Sequence, residues 1–593
     1  MKQFFKMMLA SMTGFIIAGI LLILIVIGII VAQVSRLETE KEVKVKTNTV
    51  LRIDFDDYLE ERTNKNPFEM INFNSFESNK KAGLTDIIRS IQNAKNDPKV
   101  SGIYMEFTPA FTAGYAALED LRNTIIDFKE SKKFVYAYGE LYSEKAYYLA
   151  STADKVYMNP AGEMIFNGMA STITFFKGSL DKMGIEMEVF KVGKFKGAVE
   201  PFLLDKLSPE NREQIDVYLS SLFDTYIKGV AKSRKLEAEQ VRQIAEQMQI
   251  RSAQGAVDLK MIDQLAYQDE VMTVIRDQLG IDKKDEINFI TPYSYSKVNP
   301  IKKEGEGSSQ GKIAILYAVG DIVDGNGDAE TVGSASFREA VIKAREDKNV
   351  KAVVLRINSP GGSAMASDVI LRELSLLKKE KPLIVSMGDV AASGGYYIAM
   401  AADTIVAQPN TITGSIGVFG MFPTMQKLLN DKLGITIDGV KKGEFSDLGR
   451  VDRPLTDGER AIIQNYVNEV YVQFLNVVSK GRGMDTAAVH EIAQGRVWTG
   501  NDAKERGLVD VIGGLQTAID LAAKKGGLTN YKIKELPIQK SPFEEILMGM
   551  SAETKAKFLQ EELGQNYKYY LQMRRATRYQ GIQTRMPFEV TID

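Results

Sequence analysis

Ser393 stands in the run AASGGY, from Ala391 to Tyr396, where a strand pattern gives way to a helical one. A serine at such a turn has an exposed hydroxyl, small neighbours that leave room for substrate, and helix N-terminal amides that favour negative charge. Those are the needs of an acyl-transfer nucleophile. A second loop, NSPGGS from Asn358 to Ser363, also follows a strand pattern (AVVLRI) and precedes a helix. Glycines there let the backbone turn sharply and point N–H groups outward. The amides of Gly394 and Gly362 are therefore the expected oxyanion hole. A purely structural account of ASGGYY stands beside this one, in which a small-residue helix packs closely on a sheet.

A serine hydroxyl is a poor nucleophile without a base. The chain holds one histidine, His490, in a helical stretch (DTAAVHEIAQ) far in sequence from both loops, and it holds no cysteine. A histidine-dependent triad is disfavoured, and cysteine nucleophiles, disulfides and metal sites built on several histidines of one chain are excluded. Lysine is the usual substitute, once burial has lowered its amine by several units from about 10.4. This logic alone selects no particular lysine.

The elements that must position these loops occur twice. NAKNDPKVSGIYMEF (from Asn93) parallels KAREDKNVKAVVLRI (from Lys343), and YGELYSEKAYYLASTADKVYMNP (from Tyr138) parallels MGDVAASGGYYIAMAADTIVAQP (from Met387). FFKGSLDKMGIEMEVFKVGKF parallels FPTMQKLLNDKLGITIDGVKKGEF, all at an offset of about 250 residues. The copies differ where chemistry is expected: Glu144 stands opposite Ser393, and FTPAFTAG replaces the SPGG loop. Short runs of Val, Ile and aromatic residues alternate with helical patterns such as SFREAVIKARED, which predicts βαβ units with largely parallel sheets. The fold class is α/β, repeated in tandem. The expected boundaries are 51–296 for the first domain, 297–311 for a polar linker, 312–540 for the second domain and 541–593 for a helical C-terminal extension.

No charged residue lies between Lys6 and Arg36, and residues 7–33 are apolar and long enough to cross a bilayer, which takes about 20 residues. A cleaved signal peptide would carry a shorter apolar region, of about 7 to 15 residues. An uncleaved anchor is expected, with a cytoplasmic tail of residues 1–6, a stalk over 34–50 and the large domains outside. Hydrophobic residues form 44% and charged residues 26% of the chain, so packed cores are affordable in composition. A net charge of −2 argues against a nucleic-acid partner. No P-loop glycine motif is present, so ATP is not an expected partner.

Taken together, RINSPGGS (from Arg356), MGDVAASGGYY (from Met387), TGSIGVFG (from Thr413), KVGKFKGAVEPF (from Lys191) and GRVWTG (from Gly495) resemble the long, duplicated form of the bacterial signal peptide peptidase A family, within the ClpP/crotonase-like superfamily. The resemblance covers nearly all of the chain. It implies two tandem ClpP/crotonase-like domains and a Ser-Lys dyad, with Ser393 as nucleophile, Lys196 as general base and Ser415 orienting the lysine amine. It also implies a homo-oligomer, a tetramer in the long form, at the bacterial inner membrane with its catalytic domains on the periplasmic side. The substrates implied are apolar peptides such as cleaved signal peptides, with no cofactor. Lys191 and Lys194 lie nearby, but Lys196 alone directly precedes the GAVEPF run. Two other readings fit the fold: an acyl-CoA enzyme of the crotonase or carboxyltransferase kind, and a catalytically silent membrane scaffold.

Overall fold

The computed structural model describes residues 45–63, 81–298, 310–538 apart from 329, and 582–586, with a few isolated positions and short pieces elsewhere. The apolar stretch 7–33 falls almost wholly outside the described residues. No described helix is long and apolar enough to cross a membrane.

In the first half the strands are β1 (Thr49–Phe55), β2 (Val100–Phe107), β3 (Phe134–Tyr142), β4 (Lys155–Met164), β5 (Glu186–Val192), β6 (Gln264–Leu265) and β7 (Phe289–Ile290). Six of them form a parallel sheet in the order β6-β4-β3-β2-β1-β7. The second half supplies β8 (Lys312–Val319), β9 (Asp321–Val323), β10 (Thr331–Gly333), β11 (Val350–Ser359), β12 (Gly361–Ser363), β13 (Leu383–Ala392), β14 (Thr404–Ala407), β15 (Ile412–Gly414), β16 (Val418–Thr424), β17 (Val497–Thr499), β18 (Val511–Ile512) and β19 (Lys532–Leu536). Its main sheet runs β17-β15-β13-β11-β8-β19, parallel except at the β15·β17 edge. The duplicated α/β fold is thus visible as one sheet repeated.

Period-two burial explains the sheets. Along β8, Ile313, Ile315 and Tyr317 face one apolar cluster while Ala314, Leu316 and Ala318 face another, so both faces are covered. Helices supply the covering faces. In α1 (Leu84–Asn96), Leu84, Ile87, Ile88, Ile91 and Ala94 are buried at helical spacing, and α2 (Tyr115–Lys129) packs beside it. The other helices that matter here are α3 (Glu144–Ala150), α4 (Pro209–Arg234), α5 (Ser334–Glu346), α6 (Ala364–Lys378), α7 (Gly394–Ala399), α8 (Asp457–Arg482) and α9 (Leu515–Lys525).

A third sheet joins the halves. Its order is β10-β9-β12-β20-β16-β5, where β5 comes from the first half and β20 (Ile582–Arg585) from the C-terminal tail. The tail was expected to be helical; most of 541–593 lies outside the described residues, and the described part is a strand. Its pairing partners, β12 and β16, are distant in sequence, and local periodicity carries no sign of them.

Candidate active site

The motif AASGGY folds as the end of β13, a turn at Ser393 and the start of α7. Ser393 holds φ 53° and ψ −113°, a conformation that costs a non-glycine residue energy and that persists only when its surroundings enforce it. Two backbone bonds do so: Ser393 N–H donates to the Gly414 carbonyl (2.8 Å), and Tyr397 N–H donates to the Ser393 carbonyl (2.7 Å). The serine side chain is fully buried in this state of the molecule.

Lys196 reaches the same point from the first half. Strand β5 pairs antiparallel with β16 over seven residues, Val192 opposite Val418 and Glu186 opposite Thr424. The chain then turns over the GRVWTG loop, where Phe195 N–H donates to the Gln494 carbonyl (3.0 Å) and Gln214 Nε2 donates to the Phe195 carbonyl (3.0 Å). Gly495 is required here: a Cβ on it would meet Lys196 N at 2.7 Å, and its φ is +80°. The Lys196 Nζ donates to Ser393 Oγ at 2.9 Å, to Ser415 Oγ at 3.1 Å and to the Ser415 carbonyl at 3.3 Å. Lys191 and Lys194 are exposed.

Lys196 is buried, and among the described residues no carboxylate pairs with it. Burial pushes its amine well below the usual lysine range, and the Arg585 guanidinium adds to this. A lysine amine lowered in this way gives up its proton more readily than a solvated one. Ser415 is itself held at φ 50° by donating its N–H to the Arg496 carbonyl (2.7 Å). His490 bonds through Nδ1 to the Tyr471 hydroxyl (2.9 Å) on α8 and makes no described contact with Ser393.

The glycine loop lies against the serine turn. Gly361 and Gly362 have φ +100° and +156°, and a Cβ on Gly361 would meet the Thr584 carbonyl oxygen at 2.2 Å and the Gly394 amide nitrogen at 2.6 Å. The Thr584 carbonyl oxygen and the Gly394 amide nitrogen thus both crowd the point where Gly361 lacks a side chain. Thr584 lies on β20, which pairs antiparallel with β12 on one side and with β16 on the other. Its Oγ1 donates to the Gly362 carbonyl (3.2 Å), Arg585 is salt-bridged to Asp321 (2.7 Å), and Met586 N–H donates to the Pro360 carbonyl (2.7 Å). The chain's own strand β20 thus fills the gap between β12 and β16 next to Gly394.

Sequence reasoning missed three things. One is this tail strand. Another is Glu200 of the GAVEPF run, buried and accepting from Asn211 Nδ2 (2.5 Å) and Ser208 N–H (3.2 Å), which fastens the lysine turn to the start of α4. Its signal was a carboxylate inside an otherwise apolar run. The third is a buried cluster between the halves: the Arg356 guanidinium bridges Glu61 (3.0 Å) and Asp120 (3.4 Å), Gln408 Nε2 donates to Asp120 (2.6 Å), and Asp389 accepts from Ala116 and Ala117 N–H at the start of α2.

Comparison with known proteins gives a consistent result. Residues 127–282 and 375–529 each match peptidase family S49. Over 456 residues the chain is 36% identical to Protease 4 of Haemophilus influenzae, covering 75% of this chain and 73% of that protein. It is 34% identical over 482 residues to Protease 4 of Salmonella typhi (80% and 77%) and 34% identical over 479 residues to the chloroplastic serine protease SPPA of Arabidopsis thaliana (79% and 70%).

Proposed function

Because the chain belongs to peptidase family S49 and is a serine protease, we propose that it works by a Ser-Lys dyad. The observation that carries this is the 2.9 Å contact from Lys196 Nζ to Ser393 Oγ, made by a buried amine with no described carboxylate partner. Neutral Lys196 takes the proton from Ser393 as Oγ attacks a peptide carbonyl, and Ser415 Oγ keeps the amine aimed. Amides of Gly394 and of the Gly362 loop stabilise the oxyanion. The protonated lysine then gives its proton to the leaving amine, and on the return cycle it activates water to hydrolyse the acyl-enzyme.

The substrate class is extended, apolar peptide, cleaved signal peptides foremost. Support comes from the groove between β12 and β16, which takes a strand by main-chain pairing. The apolar stretch 7–33 supports a single-pass anchor in a bacterial inner membrane, with the catalytic domains on the extracytoplasmic side. The test is hydrolysis of an apolar peptide by wild type, Ser393→Ala, Lys196→Ala and Lys194→Ala. Loss in the first two variants alone is expected. Full activity in Lys196→Ala would sink the dyad, and loss in Lys194→Ala alone would move the base two positions.

A further inference from the structure

Strand β20 carries one charged side chain into the groove, and the surroundings fit it. Arg585 is 5% exposed, and its Nη1 donates to Asp321 Oδ2 at 2.7 Å. Asp321 is not on a strand beside β20. The sheet order is β9-β12-β20, with Arg585 opposite Gly361, Thr584 opposite Gly362, and Ile322 of β9 opposite Gly362 from the other side. Neighbouring strands lie about 4.8 Å apart, so β9 is about 10 Å from β20. The guanidinium spans that separation because the intervening strand presents Gly361 and Gly362, which have no side chains to stand in its way. A short side chain in the same register would not reach Asp321.

The first half repeats the carboxylate. Tyr58 bridges Thr112 in parallel as Ile322 bridges Gly362, and the two bridges are related by the repeat's offset of about 250 residues. Asp57 therefore stands where the second half has Asp321. It also faces a cation, Lys81 Nζ at 3.4 Å, which reaches Asp56 at 3.0 Å as well.

Arg585 has a second effect. Its charge lowers the Lys196 amine beyond what burial does alone. A peptide that enters the groove displaces β20 and takes Arg585 away from both Asp321 and Lys196. A peptide with a cation of its own in that register restores both interactions.

We propose that Asp321 is the specificity-determining residue of a subsite for a basic side chain, arginine before lysine, in the register that Arg585 holds. This subsite rests on the proposed entry of substrate between β12 and β16 as a strand, and it narrows the substrate class: an apolar peptide with one long cation at a fixed distance from the bond that is cut. Arginine outranks lysine because its planar fork can offer a carboxylate two N–H groups at once. An acidic side chain in that register meets Asp321 and is rejected.

The experiment is an arginine scan of a short apolar peptide, with full-length protein in detergent. Arginine replaces each residue of the peptide in turn, and mass spectrometry reads the rate and the bond cut. The cut is expected to move with the arginine at constant spacing, with kcat/KM in the best register above that of the apolar parent by about tenfold or more. In Asp321→Asn this preference should vanish, and in Asp321→Lys a glutamate scan should show it instead. Each preference is a ratio of two peptides on one enzyme, so the cost of displacing β20 and any loss of folded protein cancel. A cut that ignores the arginine, or a preference unchanged in Asp321→Asn, would overturn the subsite and leave Asp321 as a tether for the tail alone. If wild type cuts none of the peptides, or Ser393→Ala cuts them equally well, the peptidase mechanism itself fails and the subsite falls with it.

Discussion

Lys196 carries a cost of burial that the proposed general-base role explains. In the unfolded chain its amine is protonated up to about pH 10.4, whereas in the folded chain burial holds it neutral to a far lower pH. Between the folded and unfolded values the unfolded state binds more protons, so stability rises with pH through that window, by up to about 1.4 kcal/mol per pH unit. Methionine has a similar length and no charge to desolvate. Lys196→Met should therefore lose hydrolysis by about 10²-fold to 10⁴-fold, yet unfold at higher urea than wild type at pH 7, with the difference shrinking as pH approaches 10. In the wild type, kcat/KM should fall on acidification along a single limb centred well below 10. A variant less stable than wild type at pH 7 would show that Lys196 is charged in the folded protein, and the neutral-base assignment would fail.

On the proposed mode of substrate binding, the strand β20 lies in the groove that a peptide would enter. It pairs with β12 and β16 at once, and the Thr584 carbonyl oxygen crowds the point where Gly361 lacks a side chain. An added peptide must displace it. Deleting residues 582–593 should thus lower KM for a short apolar peptide, by about a hundredfold if about three main-chain hydrogen bonds of about 1 kcal/mol each are released, while the loss of Arg585 raises the Lys196 amine and shifts the acid limb of kcat upward. Steady-state kinetics of the two chains decide it, and an unchanged KM would mean that the strand leaves the groove without cost. That element was illegible in the sequence because Ile582 to Arg585 is too short to carry a period and gains its structure from two remote edges. The ASGG and SPGG turns, by contrast, were legible, since only small residues allow the approach that Gly361 and Gly394 make. Lys196 was intermediate. Its burial depends on the GRVWTG loop some 300 residues later, so composition and spacing passed over it, and the resemblance to known peptidases picked it out.

The two halves are held by more than the β5·β16 ladder. Arg356 is fully buried among Glu61, Asp120 and Asp389, and burial raises the Asp120 carboxyl to about 6 even with Arg356 beside it. Glu61 and Asp120 come from the first half and Arg356 from the second, one residue before Ile357 on the strand that leads to the SPGG loop. The cluster therefore fixes how the lysine-bearing half sits on the serine-bearing half. Removing the cation leaves buried carboxylates unpaired, which costs about 3–5 kcal/mol. Arg356→Met should accordingly unfold at much lower urea than wild type at pH 8. The sign with pH follows from two of the acids: Asp120 and Asp389 are already raised by burial and held down by Arg356, so without it their folded values rise further above the unfolded ones, and the penalty is present at high pH and relieved as pH falls. The deficit of Arg356→Met should be smaller at pH 5 than at pH 8, and its residual activity should be limited by kcat, since the error lies in the placing of Lys196 against Ser393. A deficit independent of pH would mean that the cluster's carboxyls are already protonated in the wild type and that hydrogen bonding, not charge, sets the angle between the halves.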